Sequence, residues 1–316
     1  MKLSIVIPIY NEEKNVKALY EELTSSLKDI EGSYEIVCVD DGSSDNTFGE
    51  LSALHKKDSR IKVVSFRRNF GQTAALAAGF DFAKGEIVVS IDADLENRPE
   101  NIKELLKKMS EGYDIVCGWR YKRWGGGLKN YVLRRLPSES ANYLVRKITS
   151  LDLHDTGCTL RAYKKYVVKD IRLYGDMHRF IPAIASLNGA KIAEIKVDYQ
   201  ARKHGASKYG FSRTFKVLLD LVLLKFLMGY STKPSRFFGL IGFWSGLLGV
   251  FIGIYLTYEK LFLGQNIGNR PLLLLAALLI ILGVQFVTMG ILAEIIMRTY
   301  YESQGKKTYH IKEVLE

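Results

Sequence analysis

Residues 237–258 (FFGLIGFWSGLLGVFIGIYLTY) carry no charged side chain, and neither do residues 272–293 (LLLLAALLIILGVQFVTMGILA). As helices, each run is about 33 Å long, enough for the roughly 30 Å hydrocarbon core of a bilayer. A soluble core helix seldom stays uncharged for so long, so a pair of buried helices is the weaker reading. The linker, 259–271, is short and holds Gly264, Gly268 and Pro271. The two runs are therefore expected to form a transmembrane hairpin. Lys225, Lys233 and Arg236 precede it and Arg298, Lys306, Lys307 and Lys312 follow it, whereas the linker holds only Lys260 and Arg270, beside Glu259. This asymmetry predicts that both termini are cytoplasmic. The chain opens with LSIVIPIY, which reads as a buried strand and lacks the basic start of a signal peptide.

The formal charge of +11 is focused. Residues 119–147 net +7 and residues 202–225 net +5, so the rest of the 316-residue chain nets −1. Focused charge points to a local anionic partner and away from a general affinity for nucleic acid. The three cysteines (Cys38, Cys117, Cys158) form neither a CxxC pair nor a disulfide scaffold. Reduced thiols suit a cytoplasmic domain.

Residues 1–200 alternate between apolar runs and amphipathic ones. Strands are predicted at 3–9, 34–41, 62–68, 86–94 and 113–120, and helices at 12–29, 47–58, 72–84 and 99–112. This alternation predicts an α/β domain with a mainly parallel sheet covered on both faces. Such sheets bind ligands at the carboxyl ends of their strands. The first strand ends in Pro8-Ile9-Tyr10-Asn11-Glu12 and the second in Asp40-Asp41-Gly42-Ser43-Ser44-Asp45. Part of the latter reads as a turn and a helix cap, but two consecutive carboxylates exceed that need and suit a ribose or base. The third strand ends in Arg67-Arg68-Asn69-Phe70-Gly71-Gln72, where Gly71 permits a tight turn and the basic pair suits phosphates or solvent.

The fourth strand carries the sharpest signal. Asp92-Ala93-Asp94 closes the apolar run, and residues i and i+2 share one face of a strand. Two carboxylates on one face repel unless a cation accompanies them, and Mg2+ or Mn2+ shared with substrate phosphates is the expected partner. Farther on, His154-Asp155-Thr156-Gly157 reads either as a turn or as a carboxylate beside a reacting sugar. Arg202-Lys203-His204-Gly205-Ala206-Ser207-Lys208 gathers basic groups, a hydroxyl and a glycine before the amphipathic run 211–229. That run reads as an interfacial helix, and the cluster before it as a site for an anionic headgroup.

In order, VIPIYNEE, DDGSSDNT, RNFGQTAAL, DADLENRPE, DTGCTLRAY, GDMHRFIPA and ARKHGASKY resemble glycosyltransferase family 2. The nearest subgroup is the polyprenyl-phosphate glycosyltransferases, which includes dolichol-phosphate mannose synthase and GtrB-type bacterial enzymes. The resemblance implies a GT-A fold and an inverting transfer of a sugar, glucose or mannose, from a UDP- or GDP-linked donor to a polyprenyl phosphate such as undecaprenyl or dolichyl phosphate. It implies that Pro8, Tyr10, Glu12, Asp41, Gly71 and Asp92 line the nucleotide pocket. Asp92 and Asp94 would serve the metal and diphosphate, and Glu96 stands where the family usually has Gln, adding a third carboxylate to that metal set. Arg120, Arg134, Arg202, Ser207 and Lys208 would face the acceptor phosphate, with Asp94, Asp155 and Arg202 as the catalytic set. A processive polysaccharide synthase is disfavoured because the chain has no QxxRW motif.

The acceptor, a phosphate monoester with a second pKa of about 6, is already anionic at neutral pH. It hardly needs a general base, which favours an orienting role for Asp155. The domains read as 1–210 catalytic, 211–233 interfacial, 234–300 hairpin and 301–316 cytoplasmic tail. The oligomeric state, a homo-oligomer included, stays open at this level. Two other readings compete: transfer to a diacylglycerol-type lipid, and a noncatalytic membrane scaffold that binds nucleotide sugars.

Overall fold

A computed structural model describes residues 2–28, 30, 32–121, 139, 142–143, 146–147, 151–171, 173, 177–187, 189–200, 234–303 and 311–315. The chain divides into two compact units, residues 1–222 with 307–316, and residues 223–306.

The first unit is built on a sheet of eight strands: β1 (Leu3–Ile9), β2 (Tyr34–Asp40), β3 (Ile61–Phe66), β4 (Ile87–Ser90), β5 (Ile115–Trp119), β6 (Arg161–Lys164), β7 (Ile192–Lys196) and β8 (Ile311–Leu315). Their order is β7-β5-β6-β4-β1-β2-β3-β8. β1 pairs in parallel with β2 and β4, β2 with β3, and β5 with β7. β6 lies antiparallel between β4 and β5, and β8 runs antiparallel to β3. Six strands therefore point one way, and the expected mainly parallel sheet is present. Residues 311–315, expected as tail, instead form an edge strand of this sheet.

The apolar runs are explained by burial on both faces. In β1, Leu3, Ile5, Ile7 and Ile9 join a core with Leu19, Leu23 and Leu27 of α1 (Glu13–Leu27), Leu51 of α2 (Thr47–Lys57), and Ile102 and Leu105 of α4 (Ile102–Met109). Val6 faces the opposite core, with Ala75, Ala78 and Phe80 of α3 (Gln72–Phe82), Val167 and Val168 of α5 (Lys165–Asp170), and Ile181 and Ala185 of α6 (Ile181–Leu187). α3 approaches the sheet so closely that a Cβ on Gly79 would lie 2.1 Å from Val6 Cγ1. The small residues of QTAALAAGF make that approach possible, and it brings the N-terminus of α3 to the end of β4.

The second unit is a helical pair, α7 (Pro234–Phe262) and α8 (Pro271–Ser303), each opening on a proline suited to the first helical position. The windows Phe237–Phe262 and Pro271–Ala293 are long and apolar enough to cross a membrane, and only 11% of each is buried within the protein. A soluble core helix would be mostly covered, so the exposed apolar surface fits a bilayer. The helices meet where a Cβ on Gly242 would lie 2.6 Å from the Gly283 carbonyl oxygen, the close small-residue contact of membrane helix pairs. At the connection, Arg270 hydrogen-bonds Glu259 and Gln265, and Glu259 also accepts from the Tyr255 hydroxyl at 2.6 Å.

Candidate active site

Ile9, Asp40, Phe66, Ser90, Trp119 and Lys196 end the six co-directional strands along one edge of the sheet. β6 begins at that same edge with Arg161. The loops that follow or precede these residues form the site.

The loops after β1, β2 and β3 interlock. Asn11, with a left-handed φ of 57°, donates its N–H to Ser43 Oγ at 2.9 Å and accepts the Ser44 N–H at 2.8 Å. The Glu12 N–H donates to Thr47 Oγ1 at 2.9 Å, and the Glu12 carboxylate accepts from Asn15 Nδ2 at 2.6 Å. Asp40 is structural: it accepts the Ser43 N–H and the Ser65 hydroxyl from within the sheet. Asp41 accepts the N–H groups of Phe70 at 2.7 Å and Gly71 at 2.9 Å, one on each oxygen. Burial raises the pKa of Asp41, and those two N–H groups oppose the shift. Asp41 and Gly71, both expected in the nucleotide pocket, are thus joined directly. Pro8 is half-buried at the end of β1, and Tyr10 is 37% exposed beyond it.

The acidic turn departs from the sequence expectation. β4 ends at Ser90, so Asp92 and Asp94 do not share a strand face. The strand stops because its β6 partner begins at Arg161, opposite Ser90, and the chain then turns through Leu95 at φ 61°. Such strained positions cluster at functional sites. Asp94 is buried and accepts the Glu96 N–H at 3.1 Å, closing a local Asx-type turn. Asp92 accepts from Gln72 Nε2 at 2.8 Å, which ties the turn to α3. Burial and the adjacent Asp94 carboxylate push Asp92 up to about 7.

Glu96 also acts on Asp92, and its carboxylate lies 3.8 Å from the Arg120 guanidinium. Among the described residues, no three His, Cys, Asp or Glu side chains gather as a metal-binding set. Of the expected trio of Asp92, Asp94 and Glu96, both Asp94 and Glu96 act electrostatically on Asp92, and Glu96 also lies against Arg120. Two carboxylates on one turn, with Asp92 pushed up by burial and then by Asp94, are a donor set that a divalent cation completed by substrate oxygens would suit.

Beside this turn, Arg120 Nε donates to Asp155 Oδ2 at 2.7 Å and Arg120 Nη2 to Asp155 Oδ1 at 3.0 Å. Both residues are buried, at 5% and 8% exposure. Arg120, expected to face an acceptor phosphate, holds Asp155 and Glu96 here. Asp155 Oδ1 also accepts the Gly157 N–H at 3.1 Å. Sequence reasoning missed the residues that support this arrangement. Glu194 of β7 accepts from the loop carrying Asp155. Arg161 donates to the carbonyl oxygens of Thr156 at 2.6 Å and His178 at 3.0 Å. His178 Nδ1 lies 2.7 Å from Thr73 Oγ1, next to Gln72. Arg134, Arg202, Ser207 and Lys208 lie outside the described residues.

Residues 4–172 match glycosyl transferase family 2. The dodecaprenyl-phosphate galacturonate synthase of Rhizobium johnstonii is 40% identical over 100% of this chain and 94% of its own length. The undecaprenyl-phosphate 4-deoxy-4-formamido-L-arabinose transferase of Shewanella sediminis is 35% identical over 99% of this chain and 92% of its own. Among solved structures, glucosyl-3-phosphoglycerate synthase from Mycobacterium tuberculosis, crystallised with Mn2+, UDP and glucosyl-3-phosphoglycerate, is similar with a TM-score of 0.54. That match covers 72% of this chain and 79% of that one at 18% identity, and it establishes the GT-A α/β fold. A match through every strand-end loop of the first unit up to Arg161, joined to 40% identity along the whole chain, makes this chain a member of glycosyl transferase family 2.

Proposed function

We propose that this glycosyltransferase moves a sugar from a nucleotide diphosphate donor to the phosphate of a membrane polyprenol, with inversion, at the cytoplasmic face. The observation that carries the reading is the Asp92–Asp94 turn beside the buried Arg120–Asp155 pair, in a chain that aligns end to end with polyprenyl-phosphate sugar transferases. The relatives' names favour a galacturonate-like or amino-arabinose-like donor, and glucose and mannose donors belong in the same test panel.

Asp92 and Asp94 would hold Mg2+ or Mn2+ together with donor phosphate oxygens. The cation would supply Lewis-acid stabilisation of the departing diphosphate. The interlocked loops around Asn11, Glu12 and Asp41 form the wall for the nucleotide, and Gln72 orients Asp92. Asp155 has both oxygens engaged by Arg120, an arrangement suited to orienting and poorly suited to taking a proton. The acceptor phosphate is already ionised near neutral pH, so its oxygen attacks without a base. The basic cluster Arg202, Ser207 and Lys208, with Arg134, is the proposed grip on that phosphate.

Connectivity supports placing both ends of the hairpin on one side of the membrane. β8, after the helical pair, pairs with β3 of the N-terminal sheet, so two crossings return the chain to its starting side. The Arg270–Glu259 pair leaves Lys260 as the linker's uncompensated basic residue, which fits a non-cytoplasmic loop between basic flanks.

The test uses the purified full chain with undecaprenyl phosphate and a panel of donors: UDP-galacturonate, UDP-4-deoxy-4-formamido-L-arabinose, UDP-glucose and GDP-mannose. Formation of a polyprenyl-phosphate sugar with one donor is the expected result. Transfer to diacylglycerol instead, or nucleotide-sugar binding without turnover, would overturn the proposal.

A further inference from the structure

We infer that Glu194 is the positioning residue for Asp155, fixing the loop from which Asp155 holds Arg120. Glu194 lies in the middle of β7, in register with Cys117 of β5, three residues before Arg120. In KIAEIKV, Ala193 and Ile195 pack on one core of the sheet and Ile192 on the other, so Glu194 shares its face with Ile192. A carboxylate on that face is costly to bury unless its oxygens are satisfied. The side chain of Glu194 is only 7% exposed.

Its partners come from one loop. Oε1 accepts the N–H of His154 at 2.9 Å and the N–H of Asp155 at 3.0 Å. Oε2 accepts the His154 N–H at 3.0 Å and lies 2.8 Å from His154 Nδ1. Two successive backbone N–H groups therefore converge on one buried carboxylate, and this fixes the direction in which the Asp155 side chain leaves the loop. The imidazole completes the clamp by stacking on Trp119, the last residue of β5, with centroids 4.3 Å apart and planes at 17°. β5 and β7 thus deliver both ends of one chain of contacts. Glu194 holds the backbone at Asp155, the Asp155 side chain holds Arg120, and Arg120 faces Glu96 beside the acidic turn.

The inference rests on the transferase reading for its kinetic arm only. Glu194→Gln is nearly isosteric but puts an NH2 group where one acceptor oxygen stood. With the full chain in detergent, undecaprenyl phosphate and the donor found active, it is expected to lower kcat roughly ten- to hundredfold, the range that small misplacement of a reacting group produces. The donor KM is expected to stay within about twofold. Because Glu194 acts through Asp155, the double variant Glu194→Gln/Asp155→Asn should be no more than about threefold slower than Asp155→Asn alone. Wild-type kcat in Glu194→Gln, or losses that multiply in the double variant, would overturn the inference.

Hydrogen–deuterium exchange of the peptide covering 151–157 reads the same claim without turnover. The amides of His154 and Asp155 should exchange about tenfold faster or more in Glu194→Gln, since the buried carboxylate bonds protect them. Unchanged exchange would overturn the inference whatever the acceptor proves to be. Faster exchange in a chain whose wild type transfers no sugar would uphold the clamp and sink only the transferase reading.

Discussion

Arg120 and Asp155 meet through two parallel hydrogen bonds, 2.7 and 3.0 Å long, in a pocket that leaves both side chains almost wholly buried. A fork-to-fork pair of this kind fixes two side chains at once. Removing one partner strands the other charge in a poorly solvated place, which costs about 3–5 kcal/mol. Arg120→Ala should therefore melt several degrees lower than the wild type as well as lose activity. Asp155→Asn keeps the shape but leaves the buried Arg120 charge with only the more distant Glu96, so it should also melt lower, and its distinguishing signature is kinetic. Turnover should fall by roughly two orders of magnitude through lost orientation. The rise of rate with ionisation of the acceptor phosphate, near pH 6, should survive in the variant. A pH–rate profile checks this, and loss of that limb in Asp155→Asn would restore a proton-accepting role.

The acidic turn carries the metal prediction. Burial, and then the buried Asp94 carboxylate, push Asp92 up to about 7, and a divalent cation would offset the repulsion between the two. Asp94→Asn is expected to cut turnover at least about a hundredfold, consistent with loss of several kcal/mol of Lewis-acid stabilisation. Excess chelator should abolish turnover of the wild type, and added Mn2+ or Mg2+ should restore it. Full activity in chelator would remove the metal from the mechanism.

The first five strands, β1 to β5, were legible in sequence because burial on both faces demands unbroken apolar runs, as in LSIVIPI. The acidic pair was also found, although on the wrong local structure. Its side chains reach the site from a turn, because the partner strand β6 begins only opposite Ser90. β6 itself is four residues long, and β8 pairs with β3 from about 250 residues away in sequence, so neither leaves a periodic signal. Glu194 was invisible for a different reason. A lone Glu in KIAEIKV reads as the solvent side of an alternating strand, and it becomes buried only when the 153–157 loop closes over it. Arg120 was read correctly as lying at a strand end, but its partner Asp155 is 35 residues distant and comes into contact only through the fold.

The close approach of α3 to β1 gives a packing prediction. With Gly79 Cβ-free, Val6 Cγ1 occupies the space that an alanine methyl would need. Gly79→Ala should destabilise the protein by about 1–3 kcal/mol through overpacking. Val6→Ala alone should destabilise as well, by opening a cavity. In the double variant the new methyl enters the vacated space, so the two losses should fall short of additivity by about 1 kcal/mol or more. Thermal melting of the four proteins tests this, and strict additivity would mean that α3 does not press on Val6.

Glu35 gives a pH prediction. Its carboxylate is buried, and burial acts to raise its pKa. The Ser4 hydroxyl at 2.5 Å, the Lys84 N–H at 2.6 Å and Lys62 Nζ at 3.1 Å overcome this and leave the pKa lowered. A lowered folded-state pKa means stability that is fully present above the unfolded value, about 4.3, and is lost as pH falls through the folded value. Glu35→Gln should therefore cost about 1–3 kcal/mol at pH 7. The gap in melting temperature between variant and wild type should narrow steadily below about pH 4.5. A gap that stays constant down to pH 3 would show that the charge of Glu35 contributes nothing.

The last prediction concerns the hairpin. β8 belongs to the same sheet as β1, yet α7 and α8 intervene in the chain. If both helices cross the bilayer, the linker lies opposite the sheet and the C-terminal strand lies with it. Labelling can read this directly, because Cys38, Cys117 and Cys158 are all buried and free. Asn266→Cys, at an exposed position in the linker, should react with a membrane-impermeant maleimide on intact cells. His310→Cys, just before β8, should react only after permeabilisation. The basic flanks set the direction, since Lys and Arg are retained on the cytoplasmic side. Reversal of the two labelling patterns would overturn the orientation. Labelling of both positions from outside would separate residue 310 from the cytoplasm and overturn the two-crossing hairpin. Labelling of neither in intact cells would mean that the helices lie on the inner face without spanning, since a linker that never crosses stays shielded from the reagent.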